Sequence, residues 1–181
     1  MFSARHTPGV PVAACEPLAR FSLRLSAAAA SGIGSIASLR FDQGINACLI
    51  GEEGATARLG PDEWLILAPA EKAPMLTHAI ESALSGEIHS LVDIGHRNVG
   101  FTVAGPFARE ILNGGCPLDL SDSAFPARCA TRTVFGKAEF VLMRPGPERE
   151  YHVECWRSFA PYIFDFLLEV ASEFAAENPS T

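Results

Sequence analysis

The sequence predicts an α+β fold in which two antiparallel β-meanders are each followed by an amphipathic helix. Three observations predict it. Short alternating apolar runs are separated by Gly- and Pro-rich turns, which is the pattern of hairpin-connected strands. After each group of runs, apolar residues recur every three or four positions, the spacing of a helix with one buried face. This order occurs twice along the chain, so we expect a duplicated β-rich unit.

In the first half, residues 21–25 alternate as a strand and residues 27–38 indicate a loop or a short helix. Residues 45–50, 56–59 and 63–67 then predict a meander, because Gly and Pro turns separate the three runs. Pro74 suits a first helical turn, and a helix with an apolar stripe follows until Gly86.

The second half repeats this order. Residues 88–94 and 99–104 predict strands, and a short helix follows Gly105-Pro106. Residues 131–135, 139–143 and 151–156 predict a second meander. Ser158 can cap a final helix that has a broad apolar face. A tryptophan near the end of each meander, Trp64 and Trp156, supports the repeat.

The predicted domain organisation is an N-terminal arm followed by one folded unit. Residues 1–17 are Pro-rich and lack periodicity, so we expect a loose arm or a segment ordered by another chain. Residues 18–181 form the unit, with lobes over about 18–87 and 88–176 and a short C-terminal tail. At 181 residues the chain is long enough for one substantial core.

Composition limits the classes of function. Hydrophobic residues make up 48% and charged residues 19%, which predicts apolar surface that meets a partner. The net charge of −7 and the lack of a basic run argue against nucleic-acid binding. No run approaches the roughly 20 apolar residues that span a bilayer, and prolines interrupt any N-terminal leader, so we expect a cytoplasmic protein without membrane segments.

Cysteines and histidines show no metal-site or redox pattern. The five cysteines form no Cys-x-x-Cys pair, and the five histidines are not grouped with carboxylates, so we expect reduced thiols and no metal. Cys116 could act as a nucleophile with His96 as base and Asp93 as orienter, which is a hydrolase alternative. A buried structural thiol is the reading that we favour.

A structural role is also a possible interpretation of other polar and aromatic residues. Asp93, His96 and Arg97 fall in a turn between two predicted strands, where an Arg–carboxylate pair could fix the hairpin or present charge to a ligand or subunit. Trp64 is expected to be a core or interface aromatic whose indole N–H needs a partner. We predict no catalytic, cofactor-binding or metal-binding residue in this chain.

A set of motifs in fixed order resembles one known family. The motifs are Leu59-Gly-Pro-Asp-Glu-Trp-Leu-Ile-Leu67, Val92-Asp-Ile-Gly-His-Arg-Asn-Val99, Val103-Ala-Gly-Pro106, Gly115-Cys-Pro-Leu-Asp-Leu120, Phe125-Pro126 and Thr131-Arg-Thr133. Together they resemble the gamma-subunit family of heterotetrameric sarcosine oxidases. On this basis the candidate subunit-interface or motif residues are Trp64, Asp93, His96, Arg97, Cys116, Asp119 and Arg132.

The resemblance implies a subunit of an enzyme that oxidatively demethylates sarcosine to glycine. It implies alpha, beta and delta subunits as partners, with FAD, FMN, NAD and tetrahydrofolate held by those chains and none by this one. It also implies a fold like the folate-binding domain of aminomethyltransferases. The related folate-dependent repair proteins carry Lys-Gly-Cys-[Phe/Tyr]-x-Gly-Gln-Glu, whereas this chain has Asn113-Gly-Gly-Cys-Pro-Leu-Asp-Leu120, which argues against a folate site here.

A second function hypothesis uses the same fold. The chain would be a free-standing tetrahydrofolate-binding or one-carbon-transfer protein, with Asp93 or Asp119 contacting the pterin. Binding of a reduced folate by the isolated chain would distinguish this hypothesis from a subunit that packs on other chains.

Overall fold

The computed structural model describes residues 11–175, and the rest of the predicted arm and tail lies outside them. The first half contains β1 Val12–Ala14, β2 Leu18–Leu25, α1 Ala27–Ile33, β3 Ser35–Ile36, β4 Leu39–Arg40, β5 Cys48–Ile50, β6 Ala55–Arg58, β7 Glu63–Pro69 and α2 Ala73–Ala83. The second half contains β8 His89–Asp93, β9 Asn98–Ala104, α3 Ala108–Asn113, β10 Cys129–Phe135, β11 Ala138–Arg144, β12 Glu150–Trp156 and α4 Ala160–Ala175.

Two five-stranded sheets organise the fold. The first sheet has the order β5-β6-β7-β2-β8 and the second has the order β1-β9-β12-β11-β10. All of their strand pairs are antiparallel. In each half a meander leads through a 3₁₀ turn, Ala70–Lys72 or Arg157–Phe159, into a helix, α2 or α4. The predicted α+β class and the two meander-plus-helix units are confirmed.

The two halves exchange their first strands. β1 pairs with β9 of the second half, and β8 pairs with β2 of the first half. Residues 89–93 thus follow α2 in the chain but belong to the first sheet, and residues 12–14 belong to the second. Crossings between the sheets lie at residues 15–17 and 94–97. The predicted hairpin containing Asp93, His96 and Arg97 is wrong, since this segment passes from one sheet to the other.

Part of the predicted N-terminal arm is a strand. Val12 is 1% exposed in the second core, and the Ala104 N–H donates to the Pro11 carbonyl at 2.8 Å. The Cys15 N–H donates to the Gly100 carbonyl at 2.9 Å. A strand of three residues is too short to show alternation in the sequence, and its pairing with β9 supplies the hydrogen bonds that hold it.

The four layers run helix, sheet, sheet, helix. The outer face of the first sheet packs on α1 and α2 through Phe21, Leu23, Trp64, Ile66, Leu76 and Ile80. The outer face of the second sheet packs on α3 and α4 through Phe101, Val103, Ile111, Phe140, Ile163 and Leu167. Between the sheets lies a smaller apolar cluster of Cys48, Ala57, Leu65, Leu67, Ile94, Ala130, Val141 and Met143. Alternation along each strand thus divides its side chains between an outer core and the space between the sheets.

One pair of sheet edges is joined directly. The backbone of Ala47 bridges to Cys129, the Cys48 N–H donates to the Arg128 carbonyl at 2.8 Å, and the Ala130 N–H donates to the Asn46 carbonyl at 2.8 Å. The apolar cluster between the sheets occupies this side. On the side nearer β1 and β8, where the two crossings lie, the buried side chains between the sheets include the polar residues Arg20, His152 and Glu154.

Each meander ends in a strand that carries a tryptophan, but the two tryptophans occupy different positions in their strands. β7 and β12 are each seven residues long and each precede a 3₁₀ turn, so Trp64 corresponds to Tyr151 and Trp156 corresponds to Pro69. Trp64 and Tyr151 are both fully buried, and an arginine of the preceding strand lies over each ring, Arg58 at 4.8 Å and Arg144 at 5.9 Å. Trp64 and Trp156 thus both lie in the last strand of a meander, but they are not equivalent positions in this register.

Candidate functional site

A buried polar cluster lies between the sheets beside the two crossings. Arg20 comes from β2, and His152 and Glu154 come from the inner face of β12. Arg20 Nε donates to Glu154 Oε2 at 2.7 Å, and His152 Nε2 lies 2.8 Å from Glu154 Oε1. Arg20 Nη1 also donates to the Leu18 carbonyl at 3.0 Å. These side chains are at most 5% exposed, so the cluster is a buried connection between the two repeats.

The partners of Glu154 keep its carboxyl group ionised. Burial alone would raise the pKa of Glu154, since desolvation penalises the charged form. Hydrogen bonds and charge from His152 and then Arg20 outweigh burial and hold the pKa below its ordinary value. The cluster therefore contains an ionised carboxylate, and this group is the hydrogen-bond partner of both Arg20 and His152.

Gly100 of β9 lets the backbone approach this cluster. A Cβ at this position would lie 2.6 Å from Glu154 Oε1, 3.0 Å from His152 Cε1 and 3.1 Å from Arg20 Nη2. Real Cβ atoms do not approach a carboxylate oxygen that closely, so any larger residue would displace the buried ion pair. The position requires glycine for space.

A cavity of about 560 Å³ adjoins the cluster at the crossings. Both crossing segments line it, through Cys15 to Pro17 and through Gly95 and Asn98. Its apolar wall includes Phe101 and Phe164, whose ring centroids are 5.1 Å apart. Arg20, Glu16 and Arg157 contribute charge to the lining. The cavity has the size of a small-ligand pocket or of a socket for partner side chains.

Cys15 brings a thiol to the cavity, but not a reactive one. Its Sγ lies 3.5 Å from His152 Nδ1, and burial followed by the charge of Glu154 raises the pKa of Cys15 to about 12. A thiolate is the nucleophilic form of cysteine, and at neutral pH this thiol stays protonated. The cavity is therefore suited to binding rather than to thiol chemistry.

Beside the cavity, aromatic and cationic groups form an exposed rim. Trp156 stacks on Phe159 with centroids 6.0 Å apart, and Arg97 Cζ lies 5.6 Å from the centroid of the Trp156 ring. Arg157 Nε donates to the His96 carbonyl at 3.0 Å. We call the cavity together with Arg97, Trp156, Arg157 and Phe159 the crossover surface.

Of the residues predicted in the crossing, only Arg97 belongs to this rim by its side chain. Asp93 Oδ1 accepts from the Gly95 N–H at 2.8 Å, which closes a tight turn, and the backbone of His96 accepts from Arg157. Arg97 Nε donates to Asn98 Oδ1 at 3.1 Å. The suggested pairing of Arg97 with a carboxylate in this turn is wrong, because Asp93 bonds its own backbone instead.

Cys116 lies in the second core and is 3% exposed, and burial raises the pKa of its thiol. His96 and Asp93 lie on the crossing at the surface, so the three residues do not form a catalytic arrangement. Asp119 is exposed and its Oδ1 accepts from the Ser121 N–H at 2.8 Å, which lowers its pKa. Cys116 and Asp119 therefore both have structural roles in the loop after α3.

Arg132 and Trp64 serve the packing of the sheets. Arg132 makes a bidentate contact with Glu63, Nη2 to Oε1 at 2.6 Å and Nη1 to Oε2 at 3.3 Å, which links the two meanders. Trp64 is a core residue, so its interface alternative does not hold, and its Nε1 has no hydrogen-bond partner among residues 11–175. The seven candidate residues are therefore spread over the fold rather than gathered in one site.

Sequence reasoning missed the polar cluster and the cavity. Arg20, His152 and Glu154 alternate with apolar residues on their strands, and this pattern is typical of a strand with one face in water. Only the packing of a second sheet on that face turns these positions into buried ones. A possible signal was the triplet of Arg20, Ser22 and Arg24 on a strand that is otherwise fully apolar.

Among residues 11–175, no group of three or more His, Cys, Asp or Glu side chains is placed to hold a metal ion. Within the same residues, none of the helices is both long and apolar enough to cross a bilayer.

Comparison with known proteins identifies the family and the fold. The family model for the sarcosine oxidase gamma subunit matches residues 26–173. The chain is 31% identical over 126 residues to the sarcosine oxidase subunit gamma of Corynebacterium sp. (strain P-1), covering 70% of this chain and 61% of that relative. It is 30% identical over 125 residues to the subunit gamma of Arthrobacter sp., covering 69% and 60%. The match thus spans about three fifths of the length of these curated relatives.

Solved structures share the architecture. A heterotetrameric sarcosine oxidase from Corynebacterium sp. U-96, in complex with pyrrole 2-carboxylate, aligns with a TM-score of 0.78 at 23% identity and covers 91% of this chain and 84% of that chain. The glycine cleavage system aminomethyltransferase T from Bartonella henselae aligns with a TM-score of 0.62 at 14% identity and covers 87% and 45%. The predicted likeness to aminomethyltransferases in fold is confirmed. With a family model that matches most of its length, the chain belongs to the sarcosine oxidase gamma subunit family.

Proposed function

We propose that this chain is a non-catalytic gamma subunit of a heterotetrameric sarcosine oxidase, acting in the cytoplasm. It supports the oxidative demethylation of sarcosine to glycine by packing on the subunits that hold the flavins and folate. The family match over residues 26–173 carries this proposal. In the proposed assembly, alpha, beta and delta subunits are the partners, and FAD, FMN, NAD and tetrahydrofolate are bound by those chains.

The geometry of the chain favours a supporting role. The thiols of Cys15 and Cys116 have raised pKa values, and the one buried carboxylate of the cluster, Glu154, is held by two neighbours within the fold. Conversely, Trp156, Phe159 and Tyr162 are between 37% and 47% exposed, and large exposed aromatics are enriched where proteins meet. These features fit a chain that binds other chains.

The free-standing folate-binding alternative receives less support. Its two candidate pterin contacts, Asp93 and Asp119, each accept a hydrogen bond from a backbone N–H two residues ahead, within their own turns. The likeness to aminomethyltransferase T concerns fold at 14% identity. Calorimetry of the isolated chain with a reduced folate separates the two hypotheses, because the subunit proposal predicts no binding heat.

Co-expression tests the proposal. A tagged copy of this chain is expressed with the candidate alpha, beta and delta chains and purified through the tag, and sarcosine-dependent peroxide formation is measured. We expect the other chains to co-purify and the activity to follow them. A chain that purifies alone, with activity unchanged when it is omitted, contradicts the proposal.

A further inference from the structure

We propose that the crossover surface binds an extended segment of a partner subunit that places an apolar side chain in the cavity and a carboxylate beside Arg97 and Arg157. This inference rests on the proposed function, because it names the part of the gamma subunit that meets its partner.

Much of the wall of the cavity is apolar. The rings of Phe101 and Phe164 pack on each other with centroids 5.1 Å apart. Pro17, Val99 and Pro161 extend this apolar lining. The cavity opens to the surface beside Ala14 and Glu16, which are exposed. An open apolar hollow of about 560 Å³ on a monomer is a recognised feature of interaction sites, since filling it removes apolar area from water.

The rim is already ordered for contact. Trp156 is 47% exposed, yet Phe159 stacks on it at an interplanar angle of 16° and Arg97 lies over its ring. Tryptophan and arginine are the residues most enriched among those that dominate binding energy. Because these three side chains hold one another in place, binding costs little side-chain entropy.

The repeat shows that Trp156 is not needed for the fold of this unit. The equivalent position at the end of β7 is Pro69, and the first repeat still passes through a 3₁₀ turn into its helix. The aromatic that each repeat does need is Trp64 or Tyr151, both fully buried. Trp156 is therefore an addition specific to the surface of the second repeat.

The charge of the rim selects an acidic partner segment. The chain as a whole carries −7. At the rim, however, the Arg157 N–H donates to the Arg97 carbonyl at 2.7 Å, which brings these two arginines together along the backbone. Within residues 11–175, the hydrogen bonds of both guanidinium groups use Nε, to Asn98 Oδ1 and to the His96 carbonyl. Their Nη groups are thus available to a partner carboxylate. Glu63 and Glu139 line the small hollow that Arg97 also lines, but both carboxylates are paired with Arg132.

The test uses the full-length chain co-expressed with the candidate alpha, beta and delta chains. Trp156→Ala and Arg157→Glu are compared with two matched control substitutions at exposed positions outside the crossover surface. Ile50→Ala removes an apolar side chain that is also 47% exposed, and Lys137→Glu reverses an exposed charge in the turn between β10 and β11. We expect each rim variant to lower the affinity for the partner chains by about tenfold or more and each control by less than about twofold.

A second measurement does not depend on the variants. Amide hydrogen exchange of the wild-type chain is compared free and in the purified complex, and we expect slowed exchange over residues 95–101 and 157–164. Thermal unfolding of each variant checks that it is folded. Equal recovery of rim variants and controls, or unchanged exchange at these residues, overturns the inference while leaving the proposed function in place.

Two other outcomes also overturn it. If the isolated wild-type chain is a dimer that Trp156→Ala separates, the occupant is a second copy of this chain. If the wild-type chain recovers no partner at all, the proposed function fails and this inference fails with it.

Discussion

Arg20 and Glu154 form a buried ion pair between the two sheets, with 2.7 Å between Arg20 Nε and Glu154 Oε2. The pair joins β2 of the first repeat to β12 of the second, and His152 completes the hydrogen bonding of the carboxylate. Removing one member of a buried pair leaves an uncompensated charge, which is more harmful than the pair is stabilising. The stability of the chain should therefore depend strongly on Glu154.

We predict that Glu154→Gln lowers the free energy of unfolding by about 3 kcal/mol, because Arg20 is left buried without its counter-ion. Urea denaturation of the chain measures this. Glu139→Gln is the matched control, since the side chain of Glu139 is 57% exposed, and we expect a change within about 0.5 kcal/mol there. Equal changes in the free energy of unfolding for the two substitutions would show that the buried Arg20–Glu154 pair contributes little to the stability of the fold.

Acid should weaken the fold partly through the same carboxylate. The folded pKa of Glu154 lies below its unfolded value of 4.5, so its contribution is complete above that pH. As the pH falls below 4.5 toward the folded pKa, the unfolded state takes up the proton first and this contribution is lost. We predict that the drop in unfolding free energy from pH 7 to pH 3.5 is smaller in Glu154→Gln than in wild type. Parallel pH profiles would contradict this.

Gly100 should not tolerate a methyl group. In Gly100→Ala the new Cβ meets Glu154 Oε1, His152 Cε1 and Arg20 Nη2, all within 3.1 Å. We expect a loss of about 1 to 3 kcal/mol from this overpacking, measured by thermal or urea unfolding. Gly44→Ala is the control, because a Cβ there has nothing within 4 Å. A neutral Gly100→Ala would mean that the cluster can move aside.

Much of the fold follows from local patterns in the sequence. Gly51 to Gly54 and Gly60-Pro61-Asp62 separate strands that pair with their neighbours in sequence, so the meanders could be predicted. The exchange of β1 and β8 could not, because it depends on pairing between residues far apart in the chain, such as Phe21 with Asp93 and Val12 with Val103. Nothing in a strand of three to five residues indicates which sheet it joins.

The candidate site shows the same limit. The sequence shows Val92 to Val99 as a motif, and the structure shows that this segment contains one of the two crossings that line the cavity. Two residues that line the cavity, Cys15 and Phe164, lie near opposite ends of the chain. Their approach is a product of the duplicated topology, which a single sequence does not display.

Thiol labelling tests the structural interpretation of Cys116. Burial raises the pKa of Cys116, Cys129 and Cys155 alike, but only Cys129 among these three is partly exposed to a reagent. We predict that iodoacetamide at neutral pH labels Cys129 before Cys116 and Cys155, as followed by peptide mass spectrometry. Rapid, selective labelling of Cys116 would instead support the nucleophile alternative.

The most direct test of the central claim is native mass spectrometry of the complex recovered through this chain after co-expression with the candidate alpha, beta and delta chains. We expect one assembly that contains one copy of each of the four chains and forms peroxide when sarcosine is added. Recovery of this chain alone, or of a three-chain enzyme that excludes it and is equally active, would show that this chain is not a subunit of the oxidase.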